Sequence, residues 1–240
     1  MVAVTDDERV AQWCRWLAGI RGEVEYMLHS RMMYTKFWGI IEANPRIKGP
    51  NAFYAWLNTM YAGYTAVAVR RQLDMDSRTV SMARLLTDVS GHPAALSRER
   101  YLGLFPAHLR KMADEQFARF AVPGGVHIDP GVPCGDLEQL RRSAEGLRRF
   151  VNKKIAHSDL DGERASATYG QLNRCLDLLE KLVTKYHNLL TAETYITLVP
   201  TILSPWKRIF RQPWIAPTEP NVRLGQGSDP KMGMRDEHDG

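Results

Sequence analysis

The residues best suited to chemistry lie between Asn152 and Asp159, where a predicted helix gives way to a turn. Lys153 and His157 are four residues apart, so on a helix they project to the same side, and Arg149 lies one turn earlier. Positive neighbours favour the neutral form of a histidine, which accepts a proton near pH 7. The spacing therefore predicts a cationic cleft that contains a histidine able to move protons.

The same segment resembles the signature of a known protein family. Residues 156–159 read Ala-His-Ser-Asp and follow a basic helix, as in the HEPN superfamily and most closely in its abortive-infection branch. An upstream stretch, with Arg70, Arg71, Asp74 and Ser81 between two predicted helices, is also similar to that branch. The resemblance covers most of residues 10–190.

This resemblance implies a fold and an activity. HEPN proteins are helical bundles that pair as dimers, and many are metal-independent ribonucleases of toxin and phage-defence systems. By resemblance, His157 moves a proton while the ribose 2′-OH attacks the adjacent phosphate, and Asn152 belongs to the same site. Active members place an arginine four to six residues before the histidine, where this chain has Val151 and Asn152. The charge role is therefore assigned to Lys153 or Arg149.

Four arginines complete the candidate RNA-binding set: Arg148, Arg149, Arg70 and Arg71. Each assignment has a plainer alternative. A basic helical face is more often a solvated surface than a nucleic-acid site. Arg70, Arg71 and Asp74 are equally explained by an internal ion pair that fixes a helix end. His157 is equally explained as a cap at a helix C-terminus.

Composition sets the limits of these interpretations. The chain has 240 residues, 44% of them hydrophobic, and a formal net charge of +5, which permits RNA binding without requiring it. Its three cysteines, Cys14, Cys134 and Cys175, are widely spaced and odd in number, which indicates a reducing cytoplasm. The acidic N-terminus does not read as an export signal, and the apolar stretches are shorter than a membrane span.

Apolar spacing of three to four residues predicts helices along most of the chain, so the expected fold class is all-α, a HEPN-like antiparallel helical bundle with additional helices. Thr5 caps the first helix and Asn51 the second, while Ser77 opens the third. Residues 123–135 are expected to be an exposed loop, after which Asp136 caps a helix that ends near His157. A last long helix is expected over residues 165–190.

We expect a helical domain over residues 1–192, an amphipathic, proline-broken extension over 193–217 and a disordered tail over 218–240. The apolar residues of 194–214 support a second functional hypothesis, in which the chain is a non-catalytic module that binds RNA or a partner protein of a toxin–antitoxin or phage-defence system.

Other residue types support no further chemistry. The helical spacing of six aromatic residues favours core packing over base stacking: Trp13, Trp16, Trp38, Phe53, Tyr54 and Trp56. The remaining histidines lack metal-ligand spacing, and no phosphate-binding loop is present. The sequence therefore predicts neither a metal nor a cofactor.

Overall fold

The computed structural model describes residues 4–150 and 168–212, with the backbone alone for 148–150. The described residues are mostly helical, which confirms the all-α class. Their α-helices are α1 (Asp6–Glu42), α2 (Ala52–Arg71), α3 (Met82–Gly91), α4 (Arg98–Gly103), α5 (Arg110–Phe117), α6 (Gly131–Phe150) and α7 (Tyr169–Thr191).

Side-chain caps begin the long helices. Thr5 accepts from the backbone N–H of Glu8, whose carboxylate in turn accepts from the backbone N–H of Thr5, and Asn51 accepts from the backbone N–H at the start of α2. Both predicted caps are confirmed. Thr168 forms the same reciprocal arrangement at the start of α7. These bonds satisfy amide groups that a helix start leaves without partners.

Helix α1 runs antiparallel to both α2 and α7. Glu23, midway along α1, contacts the end of α2, whereas Tyr34 contacts Asn58 near the middle of that helix. On its other side, Arg31 forms an ion pair with Asp177 of α7 at 2.6 Å. The apolar positions of α1, including Trp13, are buried in the same core as those of α7. Burying this shared stripe stabilises the bundle by removing apolar surface from water.

Two predicted helix starts are wrong. Helix α3 is capped by Ser81 and not by Ser77, because the carboxylate of Asp76 accepts from the backbone N–H of Arg78 and closes a turn there. Helix α6 begins at Gly131, so part of the predicted loop 123–135 is helical.

Asp136 is consequently an internal residue of α6 and does not cap it. Its carboxylate accepts from Lys185 Nζ at 2.6 Å and from the hydroxyl of Tyr186 at 2.7 Å, both on α7. A side chain that binds a neighbouring helix looks like a cap in the sequence, because both roles use the same short carboxylate.

The chain divides into two compact units at Pro200. In the first unit, Leu198 is buried and its backbone N–H donates to Glu180 of α7. The described part of the second unit contains a short 3-10 helix, Trp206–Arg211. The predicted tail 218–240 lies outside the described residues.

Candidate functional site: an arginine cleft beside α6

The predicted catalytic residues lie outside the described part of the chain. This applies to Asn152, Lys153 and His157, so their roles stay predictions. Arg148 and Arg149 belong to the last turn of α6, of which the backbone is described. Their proposed RNA-binding role also stays a prediction.

The helices on either side of residues 151–167 form an antiparallel pair. Near the start of α6, Asp136 contacts α7 close to its end, as described above. Ser143 Oγ lies 3.2 Å from Cys175 Sγ, and burial raises the pKa of that thiol. Gly146 faces Gln171 so closely that an added Cβ would lie 3.0 Å from its amide nitrogen. The end of α6 and the start of α7 are therefore held at the same end of the bundle.

A cleft of about 510 Å³ lies between the end of α2 and the middle of α6. Its charged lining consists of Arg70, Arg71, Arg141, Asp74 and Glu145. The guanidinium groups of Arg70 and Arg141 have no hydrogen-bond or ion-pair partner among the described residues. Guanidinium binds phosphate and carboxylate through paired N–H groups, so Arg70 and Arg141 are the groups of this cleft suited to contact an anion, beside the carboxylates of Asp74 and Glu145 in the same lining.

The structure thus places Arg70 and Arg71 beside the middle of α6, where Arg141 lies. The predicted RNA-binding set grouped them instead with Arg148 and Arg149 at the end of that helix. Seven residues separate Arg141 from Arg148, a distance of about 10 Å along a helix axis. The arginines of α2 therefore lie about two turns before the end of α6. The cleft was identifiable in sequence only as part of a basic face, because the pairing of α2 with α6 joins residues about 70 positions apart in the chain.

Arg71 differs from its neighbour because it has an acidic partner. Its guanidinium lies 2.7 Å from Glu23 Oε1, and both side chains are at least one-third exposed. This ion pair agrees with the plainer explanation of Arg71 as a residue that fixes a helix end. Arg71 also lines the cleft, so its side chain binds Glu23 of α1 and borders the cleft at the same time.

A buried amide holds this end of α2 in place. Gln72 Nε2 donates to Glu23 Oε2 at 2.7 Å, and Gln72 Oε1 accepts from the backbone N–H of Met82 at 3.1 Å. Gln72 is fully buried. One side chain at the end of α2 therefore joins α1, α2 and α3.

A second surface was not identified by the sequence pattern. Trp13 is buried as predicted, but Phe53 and Trp56 of α2 are 46% and 55% exposed. Core packing is therefore the wrong interpretation for these two residues. Further along the same helix, Met60 and Tyr64 line a groove of about 830 Å³ between α1 and α2.

Three tyrosines stack beside this region. Tyr34 and Tyr61 lie face to face with ring centres 4.0 Å apart, and Tyr169 stacks on Tyr34 at 5.6 Å. Burial is the main cause that raises the pKa of Tyr34 and Tyr61. The three stacked rings join α1, α2 and the start of α7.

Within the described segments, no group of three or more histidine, cysteine, aspartate or glutamate side chains could hold a metal ion. None of the helices there has the length and apolar character of a membrane span. Comparisons with protein-family models, with curated proteins and with solved structures give no match for this chain.

Proposed function

We propose that this chain is a HEPN-like protein of the abortive-infection type that acts on RNA as a metal-independent endoribonuclease. The observation that carries the proposal is the cleft that brings Arg70 of α2 next to Arg141 of α6, the helix that precedes the Ala-His-Ser-Asp segment in the chain. An RNA-cleaving protein requires cationic side chains that hold the phosphate backbone near the residue that moves protons.

The proposed reaction is transesterification within RNA. The 2′-oxygen bonds to phosphorus, the bond from phosphorus to the 5′-oxygen breaks, and His157 takes the proton of the 2′-OH. The leaving 5′-oxygen takes up a proton from water, and His157 later releases its proton to water. Lys153 or Arg149 stabilises the charge that develops on the phosphate. The products are a 2′,3′-cyclic phosphate and a 5′-hydroxyl.

The cleft has a separate role in this proposal, which is to bind the RNA backbone away from the scissile bond. The affinity for single-stranded RNA falls with salt, with a slope of about 0.7 for each phosphate neutralised. Replacing both Arg70 and Arg141 with Ala is expected to reduce that slope by about 1.4. Arg119→Ala is a matched control, because Arg119 is exposed and does not line the cleft. Fluorescence anisotropy over a salt series measures the slope, and an unchanged slope in the double variant contradicts the role.

Cleavage is tested with purified protein and total RNA in EDTA. The parent is expected to cut RNA, and His157→Ala is expected to leave it intact while giving the same circular dichroism spectrum. Equal cleavage by both proteins contradicts the proposal. The resemblance also implies that the active form is a homodimer.

The second candidate function is a non-catalytic interaction module. Tyr195 and Leu198 pack against the rest of the first unit. In contrast, the side chain of Ile196 is fully exposed, and more than half of the surface of Leu203 and of Ile209 is exposed. Exposed apolar side chains of this kind favour a protein partner. Because Leu198 belongs to the core, the informative truncation ends at Pro200. The truncated chain of residues 1–200 is compared with the parent in unfolding, in RNA cleavage and in the proteins that co-purify with it. If all three are the same for both chains, this second function is contradicted.

A further inference from the structure

The second unit contains a short helix in which apolar and basic side chains are interleaved. Half of the residues of this 3-10 helix are large and apolar and the other half are basic: Trp206, Ile209 and Phe210, and Lys207, Arg208 and Arg211. In a 3-10 helix, side chains three residues apart lie on the same side. Trp206 and Ile209 therefore share one side, and Arg208 and Arg211 share another. The helix is amphipathic over its two turns.

The charge of this segment has one sign. Residues 194–218 contain no aspartate or glutamate, although the whole chain has 27 acidic residues. The guanidinium groups of Arg208 and Arg211 have no hydrogen-bond or ion-pair partner among the described residues. Together with Lys207 they give the segment three positive charges that no acidic residue nearby in sequence offsets. The segment is therefore complementary in charge to an anionic partner.

Apolar side chains of the same segment face solvent. Leu203 is 92% exposed and Ile209 is 56% exposed. Trp206 and Phe210 meet edge to face with ring centres 5.9 Å apart. The ammonium group of Lys207 lies 5.8 Å from the centre of the Trp206 ring. Aliphatic and aromatic surface is therefore exposed directly beside positive charge.

An anionic lipid surface offers both features that such a segment requires. Its headgroups attract lysine and arginine, and the layer beneath them accepts tryptophan and aliphatic side chains. RNA is also anionic, but it binds aromatic side chains by stacking bases on their rings and gains little from an aliphatic side chain such as that of Leu203. The Trp206 ring already contacts Phe210 and Lys207. The combination favours a lipid surface over RNA.

We infer that residues 201–211 bind the surface of an anionic membrane, with Leu203, Trp206 and Ile209 inserted among the headgroups and the three basic side chains in contact with their negative charges. A segment of this kind lies in the plane of the interface and does not cross the bilayer, so its short length is sufficient. The inference concerns the second unit and does not depend on the proposed RNA cleavage. It differs from a protein partner, which the apolar residues alone favour, because the basic residues belong to the site.

Co-sedimentation of the full chain with vesicles tests the inference. Vesicles of phosphatidylcholine and phosphatidylserine in equal parts are the anionic probe, and vesicles of phosphatidylcholine alone are the neutral one. The parent is expected to bind the anionic vesicles and not the neutral ones.

The charge of the segment is tested with a double variant. Arg208→Gln combined with Arg211→Gln should weaken binding to the anionic vesicles about thirtyfold, because each basic residue near an anionic surface strengthens binding about fivefold. Lys111→Gln combined with Arg119→Gln is the matched control, since it removes the same charge from two exposed positions of the first unit. The control is expected to bind as the parent does, and equal losses in the two double variants overturn the inference.

Insertion is tested with a second pair of variants. Leu203→Ser removes an exposed apolar side chain and should weaken binding to the anionic vesicles at least about tenfold, the effect of no longer burying one leucine side chain. Val126→Ser is the control, because Val126 is 71% exposed and lies between α5 and α6 of the first unit. An unchanged affinity of Leu203→Ser shows attraction by charge alone and overturns the inference. A parent that does not bind the anionic vesicles, as expected if RNA or a protein occupies the segment, also overturns it.

Discussion

Replacing the buried amide at Gln72 tests how the end of α2 is held. Gln72→Leu keeps the size of the side chain but removes both of its hydrogen bonds. The backbone N–H of Met82, at the buried start of α3, then has no acceptor, and Glu23 loses one donor while keeping Arg71. The backbone bond from Ala83 to the carbonyl of Gln72 is unaffected, so the change isolates the side chain.

The size of the effect follows from these two losses. A buried N–H without a partner costs about 1–3 kcal/mol, and a hydrogen bond to a charged group contributes about 1.5–3 kcal/mol. Because Glu23 is one-third exposed, water replaces part of the second loss. The expected decrease in the free energy of unfolding is about 3 kcal/mol, which corresponds to a lower Tm by about 6–12 °C for a chain of this size.

Gln72→Glu separates the two bonds. The introduced carboxylate still accepts from the N–H of Met82 but faces the carboxylate of Glu23, and the repulsion raises its pKa in the folded state above the ordinary value of about 4.3. A group with a raised folded pKa costs nothing while it is protonated and destabilises as the pH rises. Gln72→Glu should therefore match the parent best below about pH 4 and lose stability relative to it as the pH rises above this value.

Urea unfolding followed by circular dichroism, at several pH values, measures both effects. The difference between each variant and the parent at the same pH removes the contribution of the other carboxylates. A loss below about 1 kcal/mol for Gln72→Leu at pH 7 refutes the assignment of the junction, since one unpaired buried N–H alone costs that much. A pH-independent difference for Gln72→Glu refutes the contact with Glu23.

Three further changes test other contacts. Asp136→Asn removes the charged acceptor of Lys185 and Tyr186 and should lower the free energy of unfolding by about 1.5–3 kcal/mol, measured by urea unfolding; no loss contradicts the α6–α7 contact. Hydrogen bonds from Arg78 lower the pKa of Asp76 to about 2, so this group stabilises the fold above its ordinary pKa of 3.8 and the contribution is lost as the pH falls towards 2. Asp76→Asn should therefore flatten the loss of stability across that range in an acid titration. Thr168→Ala removes the cap of α7 and should cost about 1 kcal/mol, and an unchanged Tm contradicts the capping role.

Local signals were sufficient to predict much of the fold. Thr5 and Asn51 were identified as caps because a short polar side chain stood directly before a periodic apolar run. The long α1 and α7 followed from their periodicity alone. In these elements the sequence neighbours of each residue are also its structural partners, so the information needed was local.

Contacts between distant helices decided what the sequence did not reveal. Asp136 binds α7 some 50 residues away, so its role could not be read from its neighbours. Phe53 and Trp56 have the same helical spacing whether they face a core or solvent, and the packing of α1 and α2 determines which. The pairing of Arg70 with Arg141 in one cleft likewise depends on how α2 meets α6.

The chemical ends of the RNA product test the proposed cleavage through His157 most directly. A defined single-stranded RNA is incubated in EDTA with the parent or with His157→Ala, and mass spectrometry identifies the new termini. The proposal predicts a 2′,3′-cyclic phosphate and a 5′-hydroxyl with the parent and neither with the variant. An intact RNA with the parent, or the same termini with His157→Ala, contradicts it.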